Sequence, residues 1–185
     1  KNYGINSYFV ELYINSEHQG LYSINELINA ESLNLLSDDA VLYKAVDWSG
    51  PRFDFYSEDV STSKYWDGWE QKFPESEDRI NWQPLLYLRN IVINGSNNDF
   101  TSNIHQMINL DNFTDYYIFL NLASSLDNVA KNNFLTRQSN KDPLSIIPWD
   151  MDGSFGLMWN GDYISHTHIL SNNLFDRLLD MESGQ

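Results

Sequence analysis

The run SLDNVAKNNFLTRQSNKDPLSIIPWDMDGSFG, residues 125–156, concentrates the residue types that can do chemistry. Asp127 is followed five positions later by Asn132, with Lys131 between them and Asp150 further on. Mg²⁺ prefers hard oxygen ligands and usually takes only one or two from protein, leaving the rest to phosphate and water. Asn132 and Asp150 are ligands of that kind. Asp127, set apart from them, can orient an attacking hydroxyl and accept its proton. Lys131 adds a cation suited to a phosphate oxygen. Together these groups suit phosphoryl transfer.

They can act only if something brings them together. Residues 133–136 read as a short strand, the polar stretch 138–143 as a turn, and 144–148 as a returning strand. Antiparallel strands of similar length put their outer ends side by side, so this hairpin predicts that Asn132 and Asp150 meet. Asp127 falls in the loop just before it.

Upstream, SYFVELYI (7–14) and LYSI (21–24) predict a hairpin about the turn NSEHQG. A short polar helix over 25–36 and a strand over 41–46 follow. Residues 47–78 carry Gly50, Pro51, Gly68 and Pro74 among Ser, Asp, Trp and Tyr, which reads as a long connection. Beyond it the pattern is helical: from Pro84 with Leu85, Leu88, Ile91 and Val92 on one face, and over 99–108. A third helix starts with Asp111 as its N-cap, and a fourth spans 171–181. The fold class expected is α+β.

Composition excludes several partners. With 26 Asp and Glu against 11 Lys and Arg, the formal net charge is −15, which repels nucleic acid and anionic lipid. No apolar run reaches the length of a membrane span. The chain has no cysteine, so disulfides and thiolate chemistry are absent. Structural or incidental roles are expected for His18, His105, His166 and His168. The chain starts at Lys1 and reads as a piece of a longer protein.

An aspartate followed five residues later by a metal-binding asparagine is the catalytic-loop pattern of protein kinases. The D-x-D-G-x-F-G element at 150–156 stands where their metal-binding Asp-Phe-Gly element would be. The sequence resembles the CotH kinases, atypical secreted kinases named after a spore coat protein. The matching segments are VELYINSEHQGLY (10–22), LYKA (42–45), GWEQKFP (68–74), LDNVAKN (126–132), IPWDMDGSFG (147–156) and LFDRLL (174–179).

The resemblance implies a divergent protein-kinase-like fold. It also implies use of ATP with Mg²⁺ or Mn²⁺ to phosphorylate Ser-rich protein targets at a bacterial extracellular, cell or spore surface. Carried over, Asp127 is the catalytic aspartate, Asn132 and Asp150 hold metal, and Asp152 is a second-metal or supporting residue. Glu26 would approach the nucleotide. Residues 1–46 would be a small-lobe remnant, 47–78 an aromatic-rich connection, and 79–185 a mostly helical large lobe carrying the catalytic hairpin. Only six residues precede the strand pair, leaving no room for a phosphate-covering loop and its lysine. The chain is therefore expected to hold half of an active site, with weak or no activity alone.

Three other readings compete. An EF-hand fails, because counting from Asp150 puts Gly153 fourth and Gly161 twelfth. Six tryptophans could form a sugar-stacking platform, which makes a non-catalytic surface or carbohydrate-binding module the runner-up. Glycoside hydrolysis ranks third, since paired carboxylates there have no need of an asparagine at that spacing.

Overall fold

The computed structural model describes residues 6–55, 59–77, 79–158, 160–165 and 167–183, so Lys1, Trp159 and His166 lie outside the described residues. Strands β1 (Ser7–Ile14) and β2 (Glu17–Asn25) pair antiparallel, with Tyr8 opposite Ile24 and Val10 opposite Tyr22. Asn15 and Ser16 take φ of 52° and 68°, the left-handed backbone that a two-residue hairpin turn needs. The turn is therefore tighter than the six residues read from sequence. Glu26 fastens the open end: its carboxylate accepts from Asn6 N–H at 3.1 Å and Asn6 Nδ2 at 2.8 Å.

Residues 25–36 do not form the expected helix. Asn29 and Ser32 bond each other's backbone, Ser32 N–H to Asn29 Oδ1 at 2.8 Å and Asn29 N–H to Ser32 Oγ at 3.1 Å. Short polar side chains of this kind offer the backbone an alternative to helix. The segment turns, and buries Ile28, Leu33 and Leu35 against Leu42, Phe134 and Ile147.

A five-stranded antiparallel sheet follows, in the order β4 (Tyr65–Trp66), β5 (Trp69–Phe73), β3 (Val41–Ala45), β6 (Asn133–Arg137), β7 (Ser145–Pro148). Thus the 47–78 stretch, read as a connection, supplies two strands, and β3 is the central strand beside β6. Tyr43 lies opposite Leu135 and Lys44 opposite Phe134. β5 flanks β3 on the other side, with Ala45 opposite Trp69.

Among the described residues there are four α-helices. α1 (Gln83–Asn94) has Pro84 in its first turn and buries Leu85, Leu88 and Val92. α2 (Asn97–Met107) starts at a capping box, Asp99 N–H to Ser96 Oγ at 3.2 Å and Ser96 N–H to Asp99 Oδ2 at 3.2 Å. α3 (Leu110–Leu122) is capped by Asn109 rather than Asp111, since Asn109 Oδ1 accepts the Asn112 N–H at 3.2 Å. α4 (Asn173–Ser183) buries Leu174 and Phe175. The main core lies between sheet and helices and includes Tyr43, Trp66, Trp69, Trp82, Phe113 and Tyr116. Three of the six tryptophans are therefore core residues rather than a surface platform.

Edge strand β7 is held by the α2–α3 junction. Leu144 N–H donates to Met107 C=O and Asn109 N–H to Leu144 C=O, both at 2.8 Å. Asn112 then brackets Ile146, accepting its N–H at 2.6 Å and donating to its C=O at 3.2 Å. The helical layer thus fixes the strand that leads to Asp150. Among the described residues no helix is long and apolar enough to cross a membrane.

Candidate active site

After α3 the chain reverses at Ser124, whose φ is 48°, and enters a 3₁₀ turn over Asp127–Val129. The turn places Lys131 N–H on Asp127 C=O at 2.9 Å and Lys131 Nζ on Asp127 Oδ2 at 2.9 Å. Both side chains stay partly open, 28% for Lys131 and 20% for Asp127. Lys131 therefore stands against the candidate base itself.

The hairpin does what its strand lengths predict. Asn133 and Pro148 form its last rung, and Trp149 N–H closes onto Asn132 C=O at 2.9 Å. Asn132 Nδ2 then reaches the Asp150 carbonyl at 3.4 Å. Both residues take left-handed backbone, with φ of 57° and 54°, which Asn and Asp tolerate better than most residues.

The 150–156 segment packs back along the loop before Asp127. Gly156 N–H donates to Ser124 C=O at 3.3 Å and Phe155 N–H to Ala123 C=O, and Ser125 Oγ lies 3.4 Å from Gly153 C=O. Asp127 and Gly153 consequently share the wall of one cavity of about 140 Å³, with Trp48, Leu126, Leu157 and Met158. Asp127, Lys131, Asn132 and the 150–156 element thus belong to one packed unit.

The donor set fits a metal that arrives with phosphate. Among the described residues the Asp150 carboxylate and Asn132 Oδ1 have no hydrogen-bond or ion-pair partner, so hard oxygens remain available at the hairpin end. No group of three or more His, Cys, Asp or Glu able to hold a metal occurs among those residues. Asp127, Asp150 and Asp152 therefore do not close into an all-protein cage. One carboxylate and one carboxamide match the few protein ligands that Mg²⁺ takes beside phosphate. Asp152 is exposed in the adjoining turn.

Glu26 lies apart. Its contacts are with Asn6, whose side-chain and backbone donors hold the carboxyl below its usual range, and no described hydrogen bond joins it to residues 125–156. Two residues in the site had no distinguishing signal in the sequence. Ser125 is fully buried and Asn128 is 1% exposed; both sit in a run of small polar residues that spacing alone does not rank. Trp48, from the segment after β3, is a third.

The family model described as CotH kinase protein matches residues 2–183. Among curated proteins, the inner spore coat protein H of Bacillus subtilis (strain 168) is 25% identical over 182 residues, covering 93% of this chain and 48% of that protein. The chain spans about half the length of that curated relative.

Proposed function

The chain belongs to the CotH kinase protein family, and we propose that it carries the catalytic hairpin of an ATP-dependent protein kinase with a divergent kinase-like fold. The observation that carries this reading is the junction of Asn132 and Asp150 at the end of β6–β7, with Asp127 on the adjoining turn. The acceptor is a hydroxyl of a Ser-rich protein. The spore coat relative supports a place at a bacterial spore or cell surface. On this reading the β1–β2 hairpin belongs to the smaller lobe.

Asp127 orients the acceptor hydroxyl and takes its proton as the oxygen attacks. Lys131, 2.9 Å from that carboxylate, holds it in place. Asn132 and Asp150 would hold Mg²⁺ or Mn²⁺, whose chemistry is to neutralise charge on the phosphates of ATP. The packing of 150–156 along Ala123–Ser125 keeps that pair in register with Asp127.

Calorimetric titration of the intact protein with Mn²⁺ and a non-hydrolysable ATP analogue tests the assignment. Asp150→Ala and Asn132→Ala are expected to weaken binding by about tenfold or more, while Asp127→Ala leaves it nearly unchanged. No binding by the unaltered protein, or equal binding by Asp150→Ala, would overturn the reading.

A further inference from the structure

The Asn128 side chain sits where the two halves of the site join. Its Nδ2 donates to the Asn132 carbonyl at 2.8 Å and to the Trp149 carbonyl at 2.8 Å. One carbonyl belongs to the peptide that follows Asn132, the other to the peptide that precedes Asp150. A single carboxamide therefore fixes a peptide plane beside each candidate metal ligand, and both ligands hold left-handed backbone there.

The carboxamide itself cannot turn over. Ser125 Oγ donates to Asn128 Oδ1 at 2.7 Å, and Tyr116 Oη donates to the Asn128 carbonyl at 2.7 Å. Rotating the amide by half a turn would aim Oδ1 at two carbonyl oxygens and leave both without their donor. Tyr116 and Ser125 are themselves buried, so water does not replace these partners.

Chemistry narrows the residue type. Two donors from one atom and an acceptor from its neighbour are properties of a carboxamide. Aspartate supplies no donor, serine and threonine supply one, and glutamine is longer by a methylene in a fully packed place.

We infer that Asn128 is a positioning residue: it sets the separation and aim of the Asn132–Asp150 pair, and so the affinity for a metal–nucleotide complex. It touches neither the reacting hydroxyl nor the metal. This inference rests on the phosphotransfer reading for its ligand, but not for the geometry it asserts.

The test uses the intact protein and three variants: Asn128→Asp, close in shape but lacking both donors, Ser125→Ala, which removes the partner of Asn128 Oδ1, and Asp150→Ala as reference. Free Mn²⁺ is followed by electron paramagnetic resonance during titration in the presence of ADP. Loss of a group that orients metal ligands typically weakens binding by about 10–100-fold. Asn128→Asp is expected within that range and Ser125→Ala between it and the unaltered protein, with the KM for a Ser-rich acceptor peptide unchanged. Hydrogen exchange of the metal-free proteins gives a second readout, in which Asn128→Asp speeds exchange of the Trp149 N–H while the β3–β6 amides keep their protection.

Metal affinity within about twofold of the unaltered protein in folded Asn128→Asp, together with an unchanged Trp149 amide, would overturn the inference. If Asn128→Asp does not fold, Ser125→Ala decides on the same readouts. If the unaltered protein binds no Mn²⁺–ADP, the phosphotransfer reading falls, and the Trp149 exchange still decides whether Asn128 positions the hairpin end.

Discussion

Replacing Asn112 by alanine should loosen the strand that carries Asp150, by an amount the structure sets. Asn112 lies in the first turn of α3 and serves β7 as a substitute neighbouring strand, with one bond to the Ile146 N–H and one to its C=O. β7 is an edge strand, and Ile146 is only 7% exposed. Alanine leaves that donor and that acceptor without protein partners in a place water reaches poorly. An unsatisfied buried group costs about 1–3 kcal/mol, so partial hydration of the two brings the expected loss to roughly 2–4 kcal/mol. For a domain of this size that corresponds to a fall in melting temperature of roughly 5–15 °C. Asn112→Asp keeps the acceptor but turns a carboxylate oxygen toward the Ile146 carbonyl, and should be no better than alanine. Urea unfolding followed by tryptophan fluorescence is a suitable assay, since Trp66, Trp69 and Trp82 are buried. A change below about 0.5 kcal/mol, the size ordinary for a surface substitution, would refute the bracketing role. The same contact closes the Asn112-Phe113-Thr114 sequon in the folded chain, because a glycan would attach to the engaged Nδ2.

Two further outcomes follow from local structure. Ser96→Ala removes one half of the α2 capping box and should cost about 1 kcal/mol, read by the same urea titration; no loss would show that Asp99 alone suffices. Burial raises the phenol pKa of Tyr43 and Tyr116 above the ordinary 10.0. A folded value raised above the unfolded one gives stability that is complete below pH 10.0 and lost as pH rises beyond it. Phenolate absorbance should therefore show those two tyrosines ionising only with unfolding, and all eleven titrating near pH 10.0 in a folded chain would contradict this.

The candidate site was legible where local pattern and long-range structure agree. FLT and SII are short apolar runs between polar turns, so β6 and β7, and with them the meeting of Asn132 and Asp150, follow from the order of residue types. The helices were legible from their stripes: Leu85, Leu88 and Val92 in α1, Phe113, Tyr116 and Leu120 in α3 are all buried. Less visible was structure decided by single side chains. Asn29 and Ser32 replace a helix by turns, and Asn109 claims the α3 cap two residues before Asp111. The Asp67-Gly68 pair is an Asp-Gly hairpin turn, with φ of 47° and 80°, which joins β5 to a β4 too short to alternate. Asn128 belongs to a different class of omission. Its role depends on carbonyls 4 and 21 positions away, and no window along the sequence contains that relation.

Transfer of labelled phosphate from γ-labelled ATP to a Ser-rich peptide, with Mn²⁺ and the intact protein, tests the central assignment most directly. Asp127→Asn keeps the shape of the side chain and removes the base. The account predicts a rate about 10²–10⁴-fold lower with Mn²⁺–nucleotide binding retained. Phosphate transfer at the unaltered rate by Asp127→Asn would contradict it.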